Sequence, residues 1–122
     1  MKRDMDLVRR ILHEIEDDHP GNGSFQFSFD NVEKKVADYH LELLVQAKLL
    51  SGSVTESKDR STIYIRGLTW EGHEFLDSAR NDTIWKKAKS LVQTKTGTLS
   101  FEILKATLNT LIKSALTGDP TP

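Results

Sequence analysis

The side chains best suited to chemistry lie in one segment, LTWEGHEFLDSARNDTIWKKAK, from Leu68 to Lys89. It holds both tryptophans of the chain, one of its four histidines and several acids. His73 and Asp77 are four residues apart, which places two metal-binding side chains on one face of a helix. A metal site needs further ligands, and neither an H-E-x-x-H motif nor a neighbouring histidine accompanies this pair. We therefore expect a solvated acidic face here and no metal site.

The same segment allows a second kind of site, a ligand niche built from Trp70, His73 and Trp85. The alternative is that its aromatic residues close a small core, because aromatic side chains at helical spacing usually pack. Gly72 lies on the apolar stripe of this helix, which suggests close approach of another backbone. We favour the architectural interpretation, which covers Trp70, Gly72, His73, Phe75, Leu76 and Trp85, with Phe75 and Leu76 as full core positions.

Catalysis has no visible basis in the sequence. Carboxylate pairs are plentiful, but none stands in a recognisable catalytic context. The chain has no cysteine, so it forms neither a disulfide framework nor a thiolate zinc site. We expect no enzymatic activity, no cofactor and no small-molecule ligand.

Length and composition bound the class of protein. A chain of 122 residues with 37% hydrophobic and 29% charged residues suits one folded domain. No apolar run approaches the ~20 residues of a membrane span, and charges interrupt the first ten residues where a signal peptide needs an apolar stretch. These features predict a cytoplasmic protein without membrane contact. The net charge of −1 argues against a generic nucleic-acid binder, since phosphate contacts normally require basic excess.

The first half of the chain reads as helix, strand, helix and hairpin. An apolar stripe predicts the first helix, with Asp4 or Asp6 near its start. Alternation in SFQFSF predicts a short half-buried strand, and Asp30 or Asn31 is expected to cap a second helix that runs to about Lys48. The segments LSGSVTE and TIYIRGL, joined by SKDRS, predict a hairpin. The stripe of the first helix comprises Leu7, Val8, Ile11, Leu12 and Ile15.

The second half reads as three helices. Thr69 is expected to cap the third, Asn81 or Asp82 the fourth, and Ser100 the last, with Gly97 as the left-handed break between the last two. The last helix, Ser100 to Leu116, is either a lid on the core or a dimer seam, and the sequence leaves both open. We predict a single domain over residues 1–116 and a flexible tail over residues 117–122. The stripe of the last helix comprises Phe101, Leu104, Leu108, Leu111, Ile112 and Ala115.

This element order is that of a winged helix with extra C-terminal helices, so the predicted fold class is α+β, winged-helix-like, with a short β-hairpin as the wing. In winged-helix proteins the helix before the hairpin often ends in a leucine-rich pattern. The segment LELLVQAKLL, from Leu41 to Leu50, matches this pattern. Lys48 stands where glycine is usual. If its backbone is left-handed, lysine costs about 1 kcal/mol relative to glycine.

The whole chain resembles a bacterial and prophage-associated family of unknown function. The resemblance rests on the opening MKRDMDLVRRIL, the middle YHLELLVQAKLL, and the hallmark LTWEGHEFLD followed by IWKKAK, and it spans residues 1 to about 116. It implies a winged-helix-like domain, often encoded near phage genes, and brings no activity and no catalytic residue.

Two functional hypotheses remain. One is a protein-interaction or regulatory module, with an unidentified protein partner or with self-association through the C-terminal helix. The other is a sequence-specific DNA-binding regulator. Acids among the lysines of the presumed recognition surface favour the first, because glutamate near phosphates is repelled. The residues open to such contact are Lys34, Lys35, Asp38, Glu42 and Gln46 on the helix and Lys58 and Arg60 at the wing.

Overall fold

The computed structural model describes residues 1–118, which contain five helices and one two-stranded antiparallel sheet. This confirms the α+β class, and the arrangement is compatible with a winged helix. Two compact units, Met1–Glu74 and Phe75–Pro122, divide the chain within α3. Thr117 belongs to the last helix, and residues 119–122 of the predicted tail lie outside the described part. The elements are α1 (Met5–Asp18), α2 (Lys34–Gln46), β1 (Leu50–Ser57), β2 (Arg60–Leu68), α3 (Trp70–Ser78), α4 (Asp82–Thr96) and α5 (Phe101–Thr117).

Helix α1 supplies much of the core of the N-terminal unit. Its predicted stripe is buried throughout, and Met5 joins it. Asp4 is the N-cap, and its carboxylate accepts hydrogen bonds from the N–H groups of Asp6 and Leu7. Such a cap satisfies backbone donors that the first turn leaves without intrahelical partners. The helix then packs on α2 and β2.

A buried histidine, which no sequence pattern singled out, joins α1 to α2. His40 is 1% exposed, and its Nε2 accepts the N–H of Asp4 at 2.9 Å. Because Nε2 is an acceptor here, Nδ1 carries the proton and donates to the carbonyl of Val36, also at 2.9 Å. Both ring nitrogens therefore have partners, which allows an imidazole to sit in the core.

The predicted strand at SFQFSF is wrong in extent. Only Phe25 bridges to β2, exchanging two backbone hydrogen bonds with Ile65 at 3.0 and 2.8 Å. Phe25 and Phe27 instead pack around the ring of His19, with centroids 5.3 and 6.2 Å away. The segment does not continue along β2 because Phe29 enters the core and the chain turns there.

The predicted start of α2 is also wrong. Its N-cap is Glu33, whose side chain makes no capping hydrogen bond. Asn31 has a φ of 63°, the left-handed conformation that asparagine adopts more readily than most residues. Asp30 and Asn31 therefore belong to the turn before the helix, and α2 ends at Gln46 rather than near Lys48.

The end of α2 is a Schellman turn centred on Lys48. Its φ is 62°, and its N–H donates to the carbonyl of Val45 at 3.1 Å. The N–H of Leu49 reaches back to the carbonyl of Leu44 at 3.0 Å. These two bonds satisfy terminal carbonyls of the helix, and glycine usually occupies the left-handed position.

Replacing Lys48 by glycine is expected to raise the free energy of unfolding by about 1 kcal/mol, because glycine enters the left-handed region without the Cβ penalty. Chemical denaturation of the two proteins measures the difference. Lys87→Gly, in the interior of α4 and exposed, is the matched control and should lower stability by about 1 kcal/mol. Equal destabilisation by both substitutions would contradict the left-handed assignment.

The hairpin follows its predicted alternation. Ile63 and Ile65 are buried, whereas Tyr64 and Arg66 are exposed. The strands pair from Leu50↔Leu68 to Ser57↔Arg60, with an irregularity between Ser51 and Gly52. The turn is tighter than predicted, because Lys58 and Asp59 alone lie between the strands.

The first turn of α3 is anchored to the end of α2. The Thr69 hydroxyl donates to the carbonyl of Lys48 at 2.6 Å and accepts the N–H of Gly72 at 3.0 Å. The Thr69 N–H donates to the carbonyl of Leu49 at 3.1 Å. A Cβ on Gly72 would lie 2.0 Å from that same carbonyl oxygen. Thr69 thus caps α3 as predicted, and glycine makes room for the approaching backbone.

An aromatic cluster forms the core of the C-terminal unit. Phe75 is 1% exposed, and its ring centroid lies 4.9 Å from that of Phe101 and 6.3 Å from that of Trp85. Asn81 caps α4 by accepting the N–H of Ile84. Gly97 ends α4 with a φ of 78°, as predicted. Ser100 holds the N-cap position of α5, but its side chain makes no capping bond.

Candidate functional site

The predicted contact residues of α2 do not form a basic stripe. Lys34 forms an ion pair with Asp38 one turn along the helix. Lys35 and Gln46 are exposed, and Glu42 is half-buried on the same helix. At the hairpin turn, Lys58 and Arg60 are exposed, but so are Glu56 and Asp59 beside them. Each cation of these two elements therefore has an acid nearby in the sequence.

The connection between α1 and α2 is also unlike a helix-turn-helix. That motif joins its two helices through a turn of about 3–4 residues, so that one helix crosses the DNA backbone while the next enters the major groove. Here residues 19–33 separate the helices and include the bridge at Phe25.

Charge is divided unevenly between the two units. Residues 1–74 hold 10 lysines and arginines against 14 aspartates and glutamates, whereas residues 75–122 hold 7 against 4. The net charge of −1 is thus the sum of an acidic and a basic unit. The presumed DNA-reading elements belong to the acidic unit, which repels phosphate. The lysines of α4, with Lys89 over the ring of Trp85 at 5.7 Å, belong to the basic one.

The residues of the segment from Leu68 to Lys89 that belong to α3 lie on opposite faces of this helix. Gly72, Phe75 and Leu76 are buried together with Ala79. Trp70 is 77% exposed, which differs from the prediction that the aromatic residues of this segment close the core. It precedes Gly72 by two residues, or about 200° around a helix, so its indole points away from the buried face. Trp85 is 1% exposed within the aromatic cluster.

His73 lies on the exposed side of α3 beside a small cavity of the N-terminal unit. Its Nδ1 is 3.2 Å from the Glu16 carboxylate. The cavity has a volume of about 210 Å³. Within residues 1–118, no group of three histidines or acids is placed to hold a metal ion. The lining residues are Ile15, Glu16, His19, Gly21, Arg66, Gly67, Leu68 and His73.

A larger and mostly apolar groove runs between α4 and α5. The short connection over residues 97–100 folds these two helices into a hairpin, and they pack against each other. Buried Val92 and Leu111 form the floor of the groove, and Ile103, 45% exposed, rises at its edge. Its volume is about 550 Å³. We call this surface the α4–α5 groove; it is lined by Leu91, Val92, Lys95, Thr96, Glu102, Ile103, Ala106, Thr107, Thr110 and Leu111.

The threonines of α5 make this surface less polar than their hydroxyls suggest. Thr107 donates to the carbonyl of Ile103 at 2.8 Å, and Thr110 donates to that of Ala106 at 3.1 Å. Hydroxyls bonded to carbonyls of the preceding turn have satisfied their donors. The surface that these residues expose is therefore largely methyl, continuous with Ile103 and Ala106.

This groove was not predicted from the sequence. The stripe predicted for α5 contains its buried residues Leu104, Leu108 and Leu111. Ile103 lies outside that stripe, and this apolar residue on a second face of α5 is the feature of the sequence that could have predicted the groove. A second face that carries Ile103, Ala106 and two threonines, with no charged residue between Lys105 and Lys113, indicates a helix that is apolar beyond its core contact.

The fold and this surface define a small α+β protein with a β-hairpin and a C-terminal helical pair. The chain belongs to the family described as Hypothetical protein (DUF2513), whose model matches residues 2–98. It is similar to an uncharacterised protein of Haemophilus influenzae, 35% identical over 117 residues that cover 95% of this chain and 99% of that one. The family match ends before α5, whereas the alignment with this relative extends into it. No solved structure matches, and no helix among residues 1–118 has the length and apolarity needed to cross a bilayer.

Proposed function

We propose that this protein is a non-enzymatic protein-interaction module and that the α4–α5 groove is its contact surface. The observation that carries the proposal is the exposed apolar face of α5 around Ile103, beside a groove of about 550 Å³. Exposed apolar surface rimmed by polar residues is typical of protein contact sites. A regulatory role in a cytoplasmic, phage-associated setting is part of the proposal, in keeping with the family resemblance and the cysteine-free composition.

DNA binding is the second candidate, because α2 leads into a hairpin as a recognition helix leads into a wing. The ion pair between Lys34 and Asp38 and the acidic balance of residues 1–74 weigh against it. Non-specific affinity for DNA comes mainly from phosphate contacts, and this unit has few unopposed cations to make them.

Titration with genomic DNA fragments at low salt separates the two candidates. We expect no tight, sequence-selective binding, since each predicted contact cation lies close to an acid. The matched comparison is Lys34→Glu/Lys35→Glu, which removes both lysines of α2. Selective binding that weakens steeply with salt and is lost in this double variant would replace our proposal with the DNA-binding one.

Site-specific photocrosslinking tests the contact surface directly. A photoreactive amino acid at position 103 should yield a protein adduct in native-host cells, because the side chain lies in the α4–α5 groove. The same residue at position 35, which is exposed on α2, is the control and should yield much less. Equal adducts at both positions, or adducts only at position 35, would show that the groove is not the contact surface.

A further inference from the structure

We propose that the occupant of the α4–α5 groove is the same groove of a second copy of this chain. Two helical hairpins would then pair into a four-helix bundle around a two-fold axis. This inference rests on the proposed function and names its partner. In this arrangement α5 has both of the roles that the sequence left open. One face of the helix covers the core, and the face that lines the groove contacts the second copy.

The shape of the surface suits another helical pair. Helix α5 has 17 residues and α4 has 15, so each is about 22–25 Å long. Side by side they present a ridged face, and helices associate by setting the ridges of one pair into the grooves of the other. Ala106 and Thr110 are small and exposed on this face, which allows a second helix to approach closely.

The charges at the rim are self-complementary. A two-fold interface places a patch against its own copy, so a rim with charges of one sign would repel itself. This rim carries one base and one acid, Lys95 and Glu102, both exposed and at opposite sides of the connection between the helices. In the paired arrangement Lys95 of one copy faces the partner's Glu102, and the contact occurs twice.

Residues 75–122 carry more basic than acidic side chains, so two copies of this unit repel each other at low salt. This repulsion affects how the dimer dissociation constant depends on salt. Lys86, Lys87 and Lys89 lie outside the groove, so they contribute repulsion across solvent but no direct contact. Such repulsion is screened beyond about 8 Å at physiological ionic strength. Dimerisation should therefore not weaken steeply with salt, unlike an association of acidic and basic units.

Sedimentation velocity of the full chain over a concentration series measures the assembly. We expect a reversible species of twice the 13.8 kDa chain mass. Ile103→Glu should raise the dimer dissociation constant by about 10–100-fold, because two charges then enter the apolar contact. Leu116→Glu is the matched control, since Leu116 is an exposed apolar residue of α5 that does not line the groove. It should leave the dissociation constant unchanged, with circular dichroism showing that both variants remain folded.

Charge reversal tests the two-fold geometry. Lys95→Glu and Glu102→Lys should each weaken self-association, because each creates like-charge contacts at both rims. Mixing the two variants should restore a dimer, since each rim contact then joins an acid to a base. Failure of the mixture to assemble while wild type dimerises would overturn the two-fold arrangement.

The outcomes for this inference and for the proposed function are distinguishable. A chain that stays at 13.8 kDa at every concentration, while position 103 crosslinks to a different protein, refutes self-pairing and leaves the interaction module standing. Self-association that is unaffected by Ile103→Glu refutes the groove as the seam. A monomer without crosslinks at position 103 refutes both.

Discussion

Replacing Phe75 by alanine is expected to lower the free energy of unfolding by about 3–5 kcal/mol. The ring is 1% exposed and packs against Phe101 and Trp85, at 4.9 and 6.3 Å between centroids. Truncation removes buried apolar surface and leaves a cavity between two aromatic rings. A small domain is stable by only about 5–15 kcal/mol, so the variant should be close to unfolded. Denaturant titration followed by tryptophan fluorescence reports the change directly, because Trp85 is in the cluster.

Trp70→Ala is the control for this substitution. It removes a larger aromatic side chain from the same helix, but one that is 77% exposed. Its effect on stability should stay within about 0.5 kcal/mol. Comparable losses in the two variants would mean that Trp70 packs like Phe75, contrary to its position in the structure. If both variants kept wild-type stability but no longer bound a partner, the segment from Leu68 to Lys89 would be a binding site and not a structural element.

The helices could be predicted because their apolar stripes are local. Five residues of α1 at helical spacing specify its buried face, and the face of α3 follows from Gly72, Phe75 and Leu76 in the same way. Caps such as Asp4, Thr69 and Asn81 were equally readable, since a side-chain oxygen and the N–H groups it satisfies lie within one turn. The hairpin was also local, because its strands adjoin in sequence.

Errors arose where distant parts of the chain decide local structure. Alternation in SFQFSF predicts a strand, but a strand needs a partner along its whole length. Beyond Phe25, the packing of Phe27 on His19 and the burial of Phe29 determine the path instead. His40 was missed for the same reason, since its partner Asp4 lies 36 residues away.

The candidate site was the least predictable part. Sequence periodicity identifies the face of α5 that is buried, but whether a second face is covered depends on what the helix meets. An isoleucine at position 103 is compatible with a solvated helix, with a lid on the core and with a dimer seam, so the sequence does not distinguish these three roles of α5. Only the structure shows that α4 and α5 leave a groove beside it. The segment from Leu68 to Lys89, by contrast, was considered as a metal or ligand site because of its histidine, acids and tryptophans. Its tightest structural requirement is instead at Gly72, where a side chain would collide with the Leu49 carbonyl oxygen.

Gly72 lies where the first turn of α3 meets the chain that follows α2. The left-handed Lys48 directs Leu49 back under α3, and the Leu49 carbonyl then accepts the N–H of Thr69. The Thr69 hydroxyl binds the Lys48 carbonyl and caps the helix. This geometry needs the first turn of α3 to lie against a carbonyl oxygen, which only a residue without a side chain allows.

Gly72→Ala is therefore expected to lower the free energy of unfolding by about 3 kcal/mol or more, through overpacking and strained Thr69 hydrogen bonds. Glycine-to-alanine changes inside helices ordinarily stabilise by roughly 0.5–1 kcal/mol, so the sign itself is diagnostic. A Cβ 2.0 Å from the Leu49 oxygen cannot be accommodated by a flexible side chain, because the obstacle is backbone. Chemical denaturation measures the loss, and hydrogen exchange of the Thr69 N–H should quicken as the turn separates from Leu49. Glu74→Ala, exposed on the same helix, is the matched control and should change stability by no more than about 0.5 kcal/mol. If Gly72→Ala were as stable as wild type, with unchanged exchange at Thr69, the close approach of Leu49 to α3 would not exist in solution.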